Sequence, residues 1–231
     1  MSKNIAQGLI DIYVAPKSLF DTLQDKKGWS IVPFLLLLIT SAVVMYIFFA
    51  GMSPSWIVEQ QMLAVAHTLT PAEIENTRAV MGQMADKSKY FALGGIVVSV
   101  PIMLALQAVY IMLVGNPGHK RPYGSWFAMS VWVGMPNLVN IVGLLVLILL
   151  SNTPDMPINS ANYLSLNQLV FNFSPQDAWF SFTENFNLIY LWSAGLIAVG
   201  LKSWSGYSTS KAILLAALPL IVIFGIWALF I

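Results

Sequence analysis

Five stretches of this chain, 31–50, 90–114, 125–150, 185–201 and 212–231, contain no Lys, Arg, Asp or Glu. A bilayer core about 30 Å thick takes roughly 20 helical residues to cross. Lipid offers the backbone no hydrogen bonds, so only helices and closed barrels can span it. These runs are rich in Leu, Ile and Val and lack the strict alternation of a half-buried strand, which makes them helices. The expected fold is an all-α polytopic membrane protein with five transmembrane helices.

Composition limits what else the chain can hold. Hydrophobic residues are 58% of it and charged residues 9%, against about 25% charged in an ordinary soluble domain. The connecting segments are too short for cores of their own, so residues 1–231 are expected to form a single five-span membrane domain. A net charge of +1 gives no general attraction to nucleic acid. The absence of Cys removes disulfides, thiol catalysis and thiolate metal sites together. The first 30 residues carry four Lys and three Asp around a weak apolar face, so no cleavable signal sequence is expected.

Basic residues set the expected orientation, because Lys and Arg in short loops stay on the cytoplasmic side. The segments sharing the N-terminal side carry Lys3, Lys17, Lys26, Lys27, Lys120, Arg121, Lys202 and Lys211, and the opposite segments carry only Arg78, Lys87 and Lys89. The asymmetry predicts the N-terminus inside and the C-terminus outside. Lys17, Lys26, Lys27, Lys120 and Arg121 are then candidate contacts for anionic headgroups.

The connections read as structured. Asn4 can cap a helix with Ile5, Leu9, Ile12 and Tyr13 on one face. After Pro16, Leu19, Phe20 and Leu23 come together. These two helices either lie in the interface or pack on the spans. Ser53-Pro54 opens a helix, and Thr70-Pro71-Ala72-Glu73 is a capping box with Pro at the first helical position. An outer helical hairpin over 51–89 is expected, its second helix running on past Tyr90 into span two. The segment 151–184 has no basic residue and turns apolar and aromatic, with caps expected at Ser174-Pro175-Gln176-Asp177 and Ser181-Phe182-Thr183-Glu184. It is expected either to form an interfacial aromatic belt or to cover a cavity.

Polar groups at membrane depth are the natural site candidates. In span three Pro136 removes a helical hydrogen bond and exposes a carbonyl, and Asn137 and Asn140 follow on one face. Gln107 lies on span two, and Glu184 and Asn187 cluster where span four begins. One reading is a polar pocket between spans two, three and four. The other is structural, with amides acting as glue between helices at about 1 kcal/mol each and Glu184 completing a helix cap. No catalytic constellation exists: His67 and His119 fall on opposite sides, and there is no Gly-Lys-Ser/Thr, GxGxxG or HExxH signature. No enzyme activity, metal or cofactor is expected, and the absence of carboxylates within the spans speaks against proton- or sodium-driven transport.

Two segments resemble a known family. APKSLFDTLQDKKGWSIVPFLLLL, with Pro16, Phe20, Lys26-Lys27, Trp29 and Pro33, resembles the start of bacterial members of the Yip family (Ypt-interacting proteins). NFNLIYLWSAGLIAVGLKSWSGYSTSKAILLAALPL resembles the family's most recognisable stretch, with Trp192, Gly200-Leu201 and Lys211-Ala212. The resemblance implies five helices with a cytoplasmic N-terminus. Eukaryotic members bind Rab-type small GTPases in vesicle traffic. No binding residue carries over by motif, and the chain shows no long cytosolic N-terminal arm, which speaks against small GTPase binding. The expected role is that of a non-enzymatic membrane protein organising lipids or partner proteins, with membrane lipids, other membrane proteins or a second copy as partners. The alternative is a small transporter or lipid-translocating protein.

Overall fold

The computed structural model describes residues 4–24, 26–116 and 121–231. Lys3, His119 and Lys120 lie outside them. Among the described residues the chain is all-α, with a lone antiparallel bridge between Ser165 and Asn187. Five helical stretches are long and apolar enough to cross a membrane: α3 (Ile31–Gly51), α6 (Ser88–Gly115), the α7–α8 pair (Tyr123–Leu150), α10 (Leu188–Ser205) and α11 (Thr209–Ala228). The fourth is the least apolar and the most enclosed by protein, with mean hydropathy 1.2 and half of it buried; α11 has hydropathy 2.3 and is 11% buried. A helix surrounded by protein needs less apolar surface than one facing lipid.

The chain forms two compact units, and α3, α6, the α7–α8 pair and α10 each supply residues to both. The first comprises 1–39, 98–139 and 189–230. Its shorter helices are α1 (Ile5–Val14), α2 (Pro16–Leu23) and α7 (Tyr123–Val133). Asn4 caps α1, its Oδ1 accepting from the Gln7 N–H at 2.8 Å. Pro16 starts α2 at a position where its missing N–H costs nothing. Ile12, Leu19, Phe20 and Leu23 are buried in one cluster with Trp126, Trp132 and Leu201. Of the two expectations for α1 and α2, packing on the spans therefore describes these side chains. Each such burial stabilises by about 1.5–3 kcal/mol relative to water. Tyr13 donates its hydroxyl to the Met135 carbonyl at 2.7 Å.

The third crossing breaks where Pro136 predicts. α7 ends at Val133, a turn covers Gly134–Pro136, and α8 (Asn137–Leu150) begins anew. The six residues from Trp126 and Met129 to Val133 that α7 turns inward are buried. Gly115 of α6 lets Trp126 approach: a Cβ there would meet Trp126 Cη2 at 2.5 Å and Leu201 Cδ2 at 3.0 Å.

The second unit comprises 40–97 and 140–188 with Ile231. Its shorter helices are α4 (Pro54–Val65), α5 (Pro71–Ala85) and α9 (Phe180–Asn185). α4 and α5 pack on each other, and Val58, Met62 and Ala85 share a buried cluster with Val44, Phe48 and Leu144. The Glu73 carboxylate accepts from the Thr70 N–H at 2.8 Å and the Thr70 hydroxyl at 2.7 Å. These bonds hold its carboxyl below the usual carboxylate range. The expectation that α5 runs straight into span two is corrected: α5 ends at Ala85, a turn takes Asp86 and Lys87, and α6 starts at Ser88.

The 151–184 connection is ordered by hydrogen bonds to α4. Asp155 accepts from the Ser53 N–H at 2.6 Å and the Ser53 hydroxyl at 2.9 Å, and Trp56 donates its indole N–H to the Met156 carbonyl at 2.8 Å. The Ser174 box closes a turn and no helix: Asp177 Oδ2 accepts from Ser174 N–H at 2.6 Å, but regular helix begins only at Phe180. Phe171 and Phe173 stack with rings 5.2 Å apart, and Leu169, Val170, Phe171 and Trp179 are exposed.

Candidate functional site

The densest polar cluster among the described residues surrounds Glu184, within the second unit. The segment 164–188 folds back on itself: Leu166 N–H donates to the Phe186 carbonyl at 2.8 Å and Leu188 N–H to the Leu164 carbonyl at 3.1 Å. Between them a single wide, π-type turn (Asn167–Phe171), closed by the Asn172 N–H donating to the Asn167 carbonyl at 2.8 Å, ends at Asn172, which takes a left-handed backbone with φ 52°. Asn is among the few side chains that visit that region readily. This back-folding brings Ser165, Asn167 and Gln168 to the carboxylate of Glu184, 16 to 19 residues away.

Glu184 is 9% exposed. Its Oε2 accepts from Gln168 Nε2 at 3.0 Å, Asn167 Nδ2 at 3.2 Å and Ser165 Oγ at 3.4 Å. Its Oε1 is buried and meets no donor. Its backbone carbonyl accepts from Asn162 Nδ2, and Asn162 Oδ1 in turn accepts from Asn187 Nδ2 at 2.8 Å. Asn167 Oδ1 accepts from the Phe173 N–H at 2.8 Å and the Thr183 hydroxyl at 3.3 Å. The expected cap is corrected here. Ser181 lies inside α9, and the Glu184 carboxylate reaches back to 165–168 instead of to the start of its own helix.

The other sequence candidates divide between the units. Gln107 and Pro136–Asn137 belong to the first, and Asn140, Glu184 and Asn187 to the second. Of these, Glu184 and Asn187 come together, joined through Asn162. Gln107 Oε1 accepts from the Ser130 hydroxyl at 2.7 Å, a bond shared with the Leu104 carbonyl at 2.8 Å. Pro136 is buried, but Asn137 is exposed. It donates Nδ2 to the Gly134 carbonyl at 3.0 Å, so its amide satisfies the turn that Pro136 opens. Asn140 is half-buried, and its Oδ1 meets no donor.

The basic candidates belong to the first unit. Lys17 pairs with Asp21 at 2.6 Å on an exposed turn of α2. Lys26 lies over the Trp29 ring at 5.8 Å, and Lys27 is exposed. Arg121 is half-buried: it donates to Gln24 Oε1 at 2.7 Å and stacks on Trp204 with its Cζ 5.1 Å from the ring centre.

A second feature of the second unit was not foreseen. Met45 and Phe49 of α3, Met81 and Met84 of α5, and Phe91 of α6 line an open-mouthed apolar cavity of about 380 Å³, with Gln61 and Ser88 its polar members. Methionines from two helices brought together by tertiary packing leave no sequence period to detect. Among the described residues no group of three or more His, Asp or Glu could hold a metal ion.

Five helices long and apolar enough to cross a membrane, joined by ordered connections, define an all-α integral membrane protein. The Yip1 domain family model matches residues 10–230, nearly the whole chain, and the chain belongs to that family. No curated protein and no solved structure matches it.

Proposed function

We propose that this protein is a non-enzymatic member of its family that organises lipids in a bacterial inner membrane, with the N-terminus cytoplasmic and the 51–89 and 151–184 segments outside. The observation that carries the lipid reading is the methionine-lined cavity of about 380 Å³. Its size falls in the range of roughly 300–1,000 Å³ typical of small-molecule sites. Methionine is unbranched and polarisable, so its side chains reshape around an irregular apolar guest such as an acyl chain. Gln61 and Ser88 supply the few polar contacts that would orient it.

Ala92 also lines this cavity and is half-buried, so Ala92→Trp fills the space with little disturbance elsewhere. Wild-type protein purified in mild detergent should retain more phospholipid per chain, by native mass spectrometry, than the variant. Equal retention by two folded proteins defeats the lipid reading.

A small transporter is the second reading, and it rests on Asn140, whose amide oxygen lacks a donor. Under that reading Asn140→Leu removes solute binding and leaves thermal stability unchanged. Lost stability with no binding to lose assigns the amide to packing.

A further inference from the structure

We propose that Glu184 anchors a binding site for a hard, calcium-class cation. The site lies apart from the methionine-lined cavity residues and stands independently of the lipid reading. A carboxylate carries a negative charge, and this one accepts three hydrogen bonds at Oε2 in a residue 9% exposed. All three donors are neutral and leave that charge uncompensated. The segment 151–187 contains no Lys or Arg. Of the three basic residues in the same unit, Arg78 pairs with Glu59 and Lys89 lies over Tyr90, while Lys87 is exposed.

The second carboxylate oxygen identifies the ligand. Oε1 is buried without a donor, a costly state for a charged acceptor. A cation satisfies both the lone pair and the charge. The carboxylate's own contacts are the Asn167 and Gln168 amide nitrogens and the Ser165 hydroxyl, and the oxygens carried by Ser165 and by the Gln168 and Asn162 amides are of the kind that suits hard ions. Asn162 Oδ1 accepts one hydrogen bond and keeps a second lone pair, so it is the natural second oxygen ligand. With no Cys in the chain and no group of three or more His, Asp or Glu among the described residues, zinc-type coordination is disfavoured. The second unit carries seven carboxylates against three basic side chains, a field that concentrates cations. A single carboxylate makes the site weak, on the order of 10⁻⁴–10⁻³ M as in extracellular calcium modules. Occupied, it would clamp the back-folded 162–187 segment.

The test is thermal unfolding of the full chain in detergent, followed by tryptophan fluorescence after chelation and dialysis. Adding about 10 mM CaCl2 should raise the wild-type Tm by a few degrees, and NaCl of equal ionic strength should not. Glu184→Gln should abolish the calcium shift. Gln168→Glu adds a second carboxylate beside the first, and its calcium midpoint should fall several-fold. No calcium shift in the wild type means that Oε1 meets water only, and overturns the proposal. An equal shift in wild type and Glu184→Gln places the ion elsewhere and also overturns it. Should Glu184→Gln not fold, the Gln168→Glu midpoint decides, and an unchanged value is fatal.

Discussion

Trp204 donates its indole N–H to the Phe20 carbonyl at 2.8 Å, across 184 residues of sequence. Both residues are buried, and this bond, with the one Ser203 donates to Asp21 at 2.5 Å, ties α2 to the end of α10. Trp204→Phe keeps a ring for Arg121 to stack on but leaves a buried carbonyl without its donor. The expected loss is about 1–3 kcal/mol, read from the unfolding midpoint in detergent. A variant as stable as the wild type would show that water replaces the donor.

Two glycines should respond oppositely to the same substitution. A Cβ at Gly115 would meet Trp126 at 2.5 Å, whereas one at Gly195 has nothing within 4 Å. Gly115→Ala forces the tryptophan to move and should cost about 1–3 kcal/mol. Gly195→Ala lies in α10 with open space around it and should stabilise by up to about 1 kcal/mol. Thermal scans of the two variants side by side give the comparison. A similar effect in both would mean that Trp126 moves aside without cost.

Asp21 should give the protein an acid-sensitive contribution. Burial raises its carboxyl, but hydrogen bonds from Lys17 and Ser203 and the Lys17 charge outweigh it and hold it below the ordinary range. A depressed folded-state value means the contribution is present above the unfolded value and is lost as pH falls through the folded one. Asp21→Asn should therefore match the wild type least well near neutral pH and converge on it in strong acid. Midpoints measured from neutral to acid pH test this, and a constant gap throughout contradicts it.

Orientation can be read directly, because the chain has no native Cys. Asn76→Cys and Ser160→Cys should react with an impermeant thiol reagent in intact cells, and Gly118→Cys only after permeabilisation. Labelling of position 118 from outside reverses the proposed topology.

How much of this was legible depended on the range over which each residue acts. The spans are written in uncharged runs, and the break in the third is written in Pro136, because both act on their own backbone. Asn4 and Ser53 cap helices a few residues away, and they too were readable. Ser174 shows the limit. Its box forms, yet with Pro175 and Asp177 leading into Trp179 no helix propagates from it. Glu184 was singled out for its position, but its partners sit 16 to 19 residues upstream in a stretch with no period. The available signal was Asn162, Ser165, Asn167 and Gln168, polar residues set among Leu and Phe. Both sequence readings of Asn137 put it between helices, but it is exposed, and its amide donates to the carbonyl of Gly134, three residues back.

The enclosure of α7 has a consequence for biogenesis. Trp126 packs against Trp204 with the rings tilted and their centres 5.3 Å apart, and Gly200 sits where any Cβ would strike Met129. Gly8 of α1 and Gly115 of α6 already stand against Trp132 and Trp126, but part of the packing around α7 comes from α10, which is synthesised later. Until then Trp126 lacks the ring of Trp204 beside it. The first unit is consequently completed late, and a ribosome stalled before Leu188 would leave a chain that has inserted but has no finished interior.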